Sequence, residues 1–253
     1  MTGNQYTKNK KFPASAMIPE EDITHRPGLL LLQENGDKLY LQSLQRIDRW
    51  TDDLKLAIGN HLNLLFGALH KDRFGNVCFA DEPHLRPEFR SHFTPIDLFD
   101  YYYATWQISG GGTSEESFIR FPDRERFWDF VKTGALLRNI HLTSGSGNPP
   151  YKIYPDPASD QITISYKKSK FVFAADLEKG DLYLNEKYYL KNIPAQSYQY
   201  NLDGYHPVKD WIKSHDGLPL HREQIHRLAI LIAKIEQTAI WQNELEKEKR
   251  KNN

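Results

Sequence analysis

The sequence predicts an α+β fold: a helix-rich domain with a small antiparallel sheet and a long C-terminal helix. Three features of the 253-residue chain support this. Several segments before residue 143 carry apolar residues at every third or fourth position, the spacing of a helix's buried face. Between Gln161 and Leu190 apolar residues alternate with polar ones, as in strands. From His221 to about Glu248 the helical spacing returns and continues without interruption.

The first part of the chain is expected to contain two regions. Residues 1–20 are polar and predict a flexible lead-in, and residues 21–93 predict a small N-terminal α/β region. Asn35-Gly36 lies between two alternating segments and predicts a β-hairpin, because Asn-Gly readily adopts the positive φ angles of a tight turn. A helix is predicted from Thr51 to Leu69, where the apolar residues at helical spacing are Leu54, Ile58, Leu62 and Leu65.

Residues 94–248 are predicted to form the main domain, which opens with two helices. Thr94-Pro95 fits the N-cap and first position of a helix through Trp106, ended by Gly110–Gly112. Pro122-Asp123 opens a second helix, whose apolar face comprises Phe127, Phe130, Val131, Gly134, Leu137 and Ile140. The aromatic residues expected to fill the core are Tyr101, Tyr102, Tyr103, Trp128 and Trp211.

The sheet is predicted from the segments that follow. The two alternating halves of QITISYKKSKFVFAAD are predicted to pair as a hairpin around a basic turn, Lys167 to Lys170, and DLYLNEKYYL predicts one further strand. A short helix is expected after Pro207. The last helix places an apolar stripe on one side, formed by Ile225, Leu228, Ile232, Ile235 and Ala239, which we expect to pack internally rather than against a partner helix.

Composition limits the possible functions. The formal net charge is zero, so any nucleic-acid contact must come from local basic patches. The single cysteine, Cys78, excludes an intrachain disulfide and fits a reducing compartment. No apolar run approaches the roughly 18 residues that a membrane helix needs. We therefore expect a cytoplasmic protein with no membrane partner.

Catalytic motifs are weak or absent. Asn148-Pro149-Pro150-Tyr151 resembles the tetrad that holds a flipped adenine in amino-methyltransferases, but it follows a Gly/Ser-rich loop rather than a strand, so we interpret it as a rigid turn. Pro155-Asp156 with Lys167 suggests a metal-dependent nuclease, although Ser165 occupies the place of the second carboxylate. No Walker loop is found. His70, Cys78, His84 and His92 match no compact zinc spacing, so no metal or cofactor is predicted.

Three segments in order resemble the C-terminal target-recognition region of Type ISP restriction-modification enzymes and related adenine-specific DNA methyltransferases. They are DLFDYYYATW, IRFPDRERFWDFVKTGALLRNIHL and LDGYHPVKDWIKSHDGLPLHREQIHRLAILIAKIEQT, within about residues 95–245. The second segment matches at Pro122, Phe127, Trp128, Gly134, Leu137, Arg138, His141 and Leu142. The third matches at Gly204, Tyr205, Pro207, Trp211, Ile212, Lys213, Gly217 and Leu220.

The resemblance implies a non-catalytic specificity module that reads a target in double-stranded DNA. In long members of the family a methyltransferase domain precedes this region, so we expect the partner to be an adenine-specific methyltransferase or restriction subunit on another chain. The residues expected to contact DNA are Lys167, Lys168, Lys170, Tyr205, Lys209, Lys213 and His215. Lys209 and Lys213 are four residues apart on one face and suit adjacent phosphates. Lys167, Lys168 and Lys170 could contact phosphates or enter the major groove as the tip of a β-ribbon.

Two alternatives remain open at this point. The first is a descendant of the domain that binds proteins and no longer binds DNA. Net neutrality favours it, as do Asp203, where the family has a glycine, and His215, where it has Arg or Lys. That hypothesis predicts an exposed apolar stripe on the last helix. The second is a diverged nuclease, which would require clustered carboxylates.

Overall fold

A computed structural model describes residues 36–67, 90–108, 121–143, 150–158, 161–202 and 204–251. These residues divide into two units, one ending at Arg138 and the other beginning at Asn139. The α+β fold class is confirmed. The predicted domain boundary at residues 93/94 stays a prediction, and the predicted lead-in, residues 1–20, lies outside the described residues.

The first unit contains four helices and a short parallel strand pair in its described residues. In chain order these are α1 (Gly36–Asp48), α2 (Asp52–Leu62), β1 (Leu65–Phe66), β2 (His92–Phe93), α3 (Pro95–Ile108) and α4 (Arg124–Leu142), with the last residues of α4 belonging to the second unit. The strands pair with Leu65 opposite His92.

The predicted hairpin around Asn35-Gly36 is wrong in its described half, because the residues from Gly36 onward form α1. The segment LYLQSLQRI contains apolar residues at helical as well as alternating spacing. Packing of α1 against α3 selects the helix. Leu44 and Ile47 are thereby buried, and the Tyr40 ring meets Phe99 edge-on at 4.8 Å. The other half of the predicted hairpin lies outside the described residues.

The predicted helix from Thr51 is confirmed but ends earlier than expected. Thr51 is its N-cap, with its hydroxyl accepting a hydrogen bond from the Leu54 amide at 3.4 Å. The helix stops because Asn63 adopts the left-handed conformation, with φ 53°. Leu65 therefore lies in β1, where it is 64% exposed.

The predicted start of α3 is confirmed in detail. The Thr94 amide donates to Asp97 Oδ2 at 2.8 Å, and the Asp97 amide donates to the Thr94 hydroxyl oxygen at 3.4 Å, the two reciprocal bonds of a capping box. The helix buries the aromatic side chains predicted to fill the core, and Trp128 of α4 is buried with them. Gly110–Gly112 lies outside the described residues.

Helices α3 and α4 approach most closely at Gly134. A Cβ atom there would lie 1.8 Å from the Asp100 carbonyl oxygen, so only glycine permits this approach. One turn later, Arg138 Nε donates to Asp100 Oδ1 at 2.7 Å and its Nη2 to Oδ2 at 3.0 Å. Burial raises the Asp100 pKa to about 6, while the Arg138 guanidinium opposes that rise. The ion pair thus stabilises a carboxylate inside the helix contact.

The second unit contains six strands and three helices that begin within it, among the residues described. These are β3 (Ile153–Tyr154), β4 (Gln161–Thr163), β5 (Lys170–Phe173), β6 (Lys179–Tyr183), β7 (Tyr189–Pro194), α5 (Ala195–Gln199), α6 (Pro207–Ser214), β8 (Pro219–His221) and α7 (Arg222–Lys251). Four strands form an antiparallel sheet in the order β3-β7-β6-β5.

Two strand predictions are wrong. The halves of QITISYKKSKFVFAAD do not pair with each other: β4 pairs with β8, with Ile162 opposite Leu220, and β5 pairs with β6. DLYLNEKYYL is two strands rather than one, because Asn185 closes a turn in its middle. The Asn185 Oδ1 atom accepts hydrogen bonds from the amides of Lys187 and Tyr188, both at 2.8 Å.

Helix α7 organises the second unit. It packs against α5, α6, β7 and β8. The predicted stripe on this helix is confirmed and lies inside the unit, where Leu228, Ile232 and Ile235 are each 0% exposed and Ile225 and Ala239 are each 4% exposed. None of the helices that the structure describes is long and apolar enough to cross a membrane.

We expect Gly134→Ala to destabilise the protein by about 1–3 kcal/mol, because the added methyl group overlaps the Asp100 backbone and forces α3 and α4 apart. Urea unfolding followed by circular dichroism measures the change. Lys132→Ala, an exposed position on α4, is the control and should stay within about 0.5 kcal/mol of the wild type. Equal stability of the two variants would contradict the close helix contact.

Candidate nucleic-acid interface

Helix α6 carries two of the side chains predicted to contact DNA, Lys209 and Lys213. Pro207 occupies its first position, and the Asp210 carboxylate accepts a hydrogen bond from the His206 amide at 2.9 Å. Val208 and Ile212 are each 1% exposed and anchor the helix to the unit. Their burial leaves Lys213 exposed and Lys209 half-buried, four residues apart on one side.

The turn before α6 has a fixed backbone. Gly204 adopts φ 83°, and its amide donates to Asn201 Oδ1 at 2.7 Å. A bridge between Leu202 and Tyr205 closes the turn. Tyr205 is half-buried, and its pKa is raised by burial and further by the Asp210 carboxylate. The Tyr205 hydroxyl therefore stays protonated at neutral pH and can donate a hydrogen bond.

The turn after α6 holds His215 in one orientation. Its ring stacks on Trp211 with centroids 4.0 Å apart, and its Nδ1 donates to the Trp211 carbonyl oxygen at 2.8 Å. This bond fixes the Nδ1-protonated tautomer in the neutral ring, which leaves Nε2 able to accept. Trp211 is therefore half-buried under the histidine rather than deep in the core, unlike the other aromatic residues predicted there.

The predicted basic turn lies beside the end of α6. The Tyr166 amide donates to Asp216 Oδ1 at 2.8 Å. Ile164 and Leu218 join the two segments through the backbone: the Ile164 amide donates to the Leu218 carbonyl at 3.2 Å, and Gly217 donates back to Ile164 at 3.1 Å. The structure thus brings together two groups of residues that are about fifty positions apart in sequence.

The lysines of this turn differ in their surroundings. Lys168 pairs with Glu186 at 3.0 Å, and because both side chains are exposed the pair contributes at most about 1 kcal/mol. Lys167 is exposed, and no carboxylate among the described residues pairs with it. The turn therefore presents one unpaired cation and one that is partly neutralised.

Lys170 and Lys209 lie on different sides of β5. The Lys209 ammonium is 5.0 Å from the centroid of the Tyr198 ring, which stacks on Phe171 at 4.7 Å. Lys170 precedes Phe171 in the strand and points to the opposite face, where its ammonium lies 5.2 Å from the Tyr183 ring. The structure therefore does not bring Lys170 together with Lys209.

Sequence reasoning missed Tyr198 and Asp216, the two residues that tie this surface together. The Tyr198 ring contacts the Lys209 ammonium. Burial raises the Tyr198 pKa, and the nearby Tyr166 raises it further. Neither residue belongs to a motif. The pairing of β4 with β8 brings Asp216 to Tyr166, and the stacking of Tyr198 on Phe171 accompanies its contact with Lys209, so both residues are revealed only by contacts between distant segments.

The matched residues of α4 hold the structure together rather than line a surface. Beyond Gly134 and Arg138, His141 is 3% exposed, and its Nε2 lies 2.6 Å from Thr238 Oγ1. Its backbone oxygen accepts from Lys234 Nζ at 2.7 Å. Burial, with a smaller contribution from the nearby Lys234 ammonium, lowers the His141 pKa to about 3. His141 is therefore neutral at pH 7 and, within the second unit, fastens the last residues of α4 to α7.

The weaker catalytic candidates gain no support from the geometry. The Tyr151 hydroxyl donates to Glu236 at 2.6 Å, whereas Asn148 and Pro149 lie outside the described residues, so the interpretation of the tetrad as a turn stays a prediction. Asp156 pairs with Arg222 at 3.1 Å. Within the described part of the chain, no three His, Cys, Asp or Glu side chains are grouped to hold a metal ion.

A protein-family model, that of the Type ISP C-terminal specificity domain, matches residues 115–248, slightly more than half of the chain. The match confirms the resemblance inferred from the three segments. No curated protein matches the chain.

Three solved structures resemble the chain at low identity. The ATP-dependent Type ISP restriction-modification enzyme LlaBIII bound to DNA has a TM-score of 0.42 and 18% identity, and the match covers 60% of this chain and 11% of that one. A nuclease-deletion mutant of the Type ISP restriction-modification enzyme LlaGI in complex with a DNA substrate mimic has a TM-score of 0.42 and 17% identity, with coverages of 59% and 13%. The DrdV–DNA complex has a TM-score of 0.45 and 17% identity, with coverages of 61% and 18%. The chain thus spans less than a fifth of each of these proteins.

We expect His141 to make the folded state sensitive to acid. Between pH 6.5 and about 3 the unfolded chain binds a proton at this histidine that the folded chain does not bind, so the free energy of unfolding decreases as pH falls through this range. Between about pH 7 and about pH 5, the free energy of unfolding of His141→Gln should fall by about 2 kcal/mol less than that of the wild type.

Urea unfolding of both proteins at the two pH values measures this difference. His226→Gln, which replaces an exposed histidine on α7, is the matched control. An identical pH dependence in His141→Gln and the wild type would contradict the buried neutral histidine.

Proposed function

Because this chain belongs to the family of the Type ISP C-terminal specificity domain, we propose that it recognises a short target sequence in double-stranded DNA. The observation that carries the proposal is the attachment of the basic turn to the end of α6, through Asp216 and the Ile164–Leu218 backbone bonds. We propose that the basic turn, α6 and the turns that flank it form one surface, which we call the α6 surface. Its residues are Lys167, Tyr205, Lys209, Lys213 and His215.

The chemistry of the α6 surface suits DNA. Specific binding needs cations that contact phosphates and set the register, together with polar groups that reach base edges. Lys167, Lys209 and Lys213 supply the cations. The Tyr205 hydroxyl can donate, and the Nε2 atom of His215 can accept, the two kinds of contact that distinguish bases in the major groove.

The dimensions of α6 also fit. An α-helix with its side chains is about 10–12 Å across, and the major groove is about 12 Å wide. Because Val208 and Ile212 are buried, the opposite side of α6 is the side that can meet a duplex. The net charge of zero implies that most of the attraction comes from this local surface.

We further propose that methyl transfer or DNA cleavage is carried out by an adenine-specific methyltransferase or restriction subunit on another chain. The family is that of a specificity domain, and the chain corresponds to a small part of much longer restriction-modification enzymes. A partner would then receive its specificity from this chain, whose own contribution needs no cofactor.

The protein-interaction alternative is less well supported. It predicts an exposed apolar stripe on α7, but Ile225, Leu228, Ile232, Ile235 and Ala239 are buried within the second unit. The stripe therefore stabilises the fold and offers no surface to a partner helix.

Selection from a random duplex library by the purified chain, at a low and a near-physiological salt concentration, tests the proposal. We expect enrichment of a short asymmetric motif and weaker retention at higher salt. Lys209→Ala with Lys213→Ala should abolish the enrichment and reduce the slope of log K against log salt by about 2, because each phosphate contact contributes about 0.9.

Lys132→Ala with Lys247→Ala removes two exposed lysines elsewhere and is the charge-matched control. Thermal unfolding of each variant shows whether the fold is retained. Failure of the wild-type chain to retain any duplex at low salt would overturn the proposal. If the control loses as much enrichment as Lys209→Ala with Lys213→Ala, the effect of those two lysines is only one of total charge.

The purified chain alone should neither methylate nor cut the retained duplex. Incubation with labelled S-adenosylmethionine, and separately with Mg²⁺, is followed by scintillation counting and gel electrophoresis. Incorporated label would indicate a methyltransferase activity in this chain or in a contaminant. Strand breaks that persist in Asp156→Asn would indicate another nuclease activity, whereas strand breaks that are lost in Asp156→Asn would support the nuclease alternative.

A further inference from the structure

Three tyrosines form a row across the four-stranded sheet. Tyr154 of β3 lies opposite Tyr189 of β7, which lies opposite Tyr183 of β6. Their rings stack in sequence, with centroid distances of 6.0 Å between Tyr154 and Tyr189 and 4.8 Å between Tyr189 and Tyr183. Cross-strand neighbours share one face of a sheet, so the rings form a continuous ladder.

A lysine lies over each end of this ladder. Lys170 of β5 is opposite Tyr183 in the strand register, and its ammonium is 5.2 Å from that ring. Lys191 of β7 lies 5.7 Å from the Tyr154 ring. We call these five residues the Tyr–Lys row. Strands about 4.8 Å apart give it a length of about 14 Å from β3 to β5.

The row lies on the outer face of the sheet. Leu182 and Leu190, which adjoin Tyr183 and Tyr189 in their strands, are both 0% exposed and point to the other face. Tyr154 is 41% exposed. The leucines therefore fill the core on the inner face of the sheet, and the tyrosines do not contribute to that core.

The stacking determines which atoms the row can offer. The tyrosine faces are covered by one another and by the lysines, so a base cannot insert between them. The ring edges, hydroxyl groups and ammonium groups are what remain. Hydroxyl and ammonium donors are the groups that contact DNA phosphates without reading sequence.

Among the described residues of the four strands, one carboxylate shares the outer face. Asp181 lies two residues from Tyr183 in β6, but its Oδ1 accepts a hydrogen bond from the Asn192 amide at 3.1 Å. This bond directs it toward the backbone of β7. The row therefore retains its two cations, and its positive charge is complementary to a phosphodiester backbone.

We propose that the Tyr–Lys row is a second DNA contact, which binds the sugar–phosphate backbone without sequence preference. This inference rests on the proposed function and adds a positioning surface to it. Lys170 connects the two surfaces in the chain, since it begins β5 directly after the basic turn. A length of about 14 Å corresponds to about four nucleotide steps along one strand.

Two variants separate the chemical contributions of the row. Lys170→Gln with Lys191→Gln removes the cations, and Tyr154→Phe with Tyr183→Phe and Tyr189→Phe removes the hydroxyls while keeping the stacked rings. Lys132→Gln with Lys247→Gln is the charge-matched control. Thermal unfolding establishes that each variant is folded.

Fluorescence anisotropy with a labelled random-sequence duplex, measured over a range of salt, gives the affinity and the salt slope. We expect the lysine variant to bind on the order of tenfold more weakly, with a salt slope lower by about 2, and the tyrosine variant to lose several-fold. Selection from the random library should return the same motif for both variants as for the wild type.

The outcomes distinguish this inference from the proposed function. If the wild type binds DNA and the row variants have the same affinity and salt slope as the control, the row is not a DNA contact. The proposed function would then remain intact. A changed motif would show that the row reads bases, which also overturns this inference. Absence of wild-type binding to any duplex at low salt would overturn both proposals.

Discussion

The second unit depends on the burial of one side of α7. The stripe from Ile225 to Ala239 packs against α5, α6, β7 and β8, and it is this packing that holds the short elements in place. Strands of three to six residues and helices of five to eight residues are too short to be stable alone. Their outer sides contribute little to the core, so substitutions there can change binding while the fold is preserved.

Local features of the fold could be predicted from the sequence, but strand pairing could not. Thr51 and Thr94 determine where their helices begin through bonds only three residues long, and those starts were predicted correctly. The pairing of Ile162 with Leu220 joins segments almost sixty residues apart, and no local pattern encodes it. The same limit applies to the candidate site: the cations were found by type, but the opposite orientations of Lys170 and Lys209 depend on the pairing of β5 with β6.

The residues that identify the family are largely those that maintain the backbone. Gly134 permits the contact between α3 and α4, Arg138 compensates the buried Asp100, and Gly217 adopts a positive φ angle after α6. Such positions are constrained by sterics and burial. Family membership therefore describes the scaffold, and under the proposed function the choice of target resides in the exposed side chains mounted on it.

The hydrogen bonds between residues 164–166 and 216–218 have a consequence for engineering. These bonds fix the basic turn relative to the end of α6. Grafting α6 alone from a relative would break them, and the basic turn would no longer be held against the new helix. Exchanging residues 164–170 together with residues 204–218 would keep both ends of these bonds. Because Asp216 belongs to the second of these segments, its carboxylate would have to be carried over or replaced by another acceptor for the Tyr166 amide.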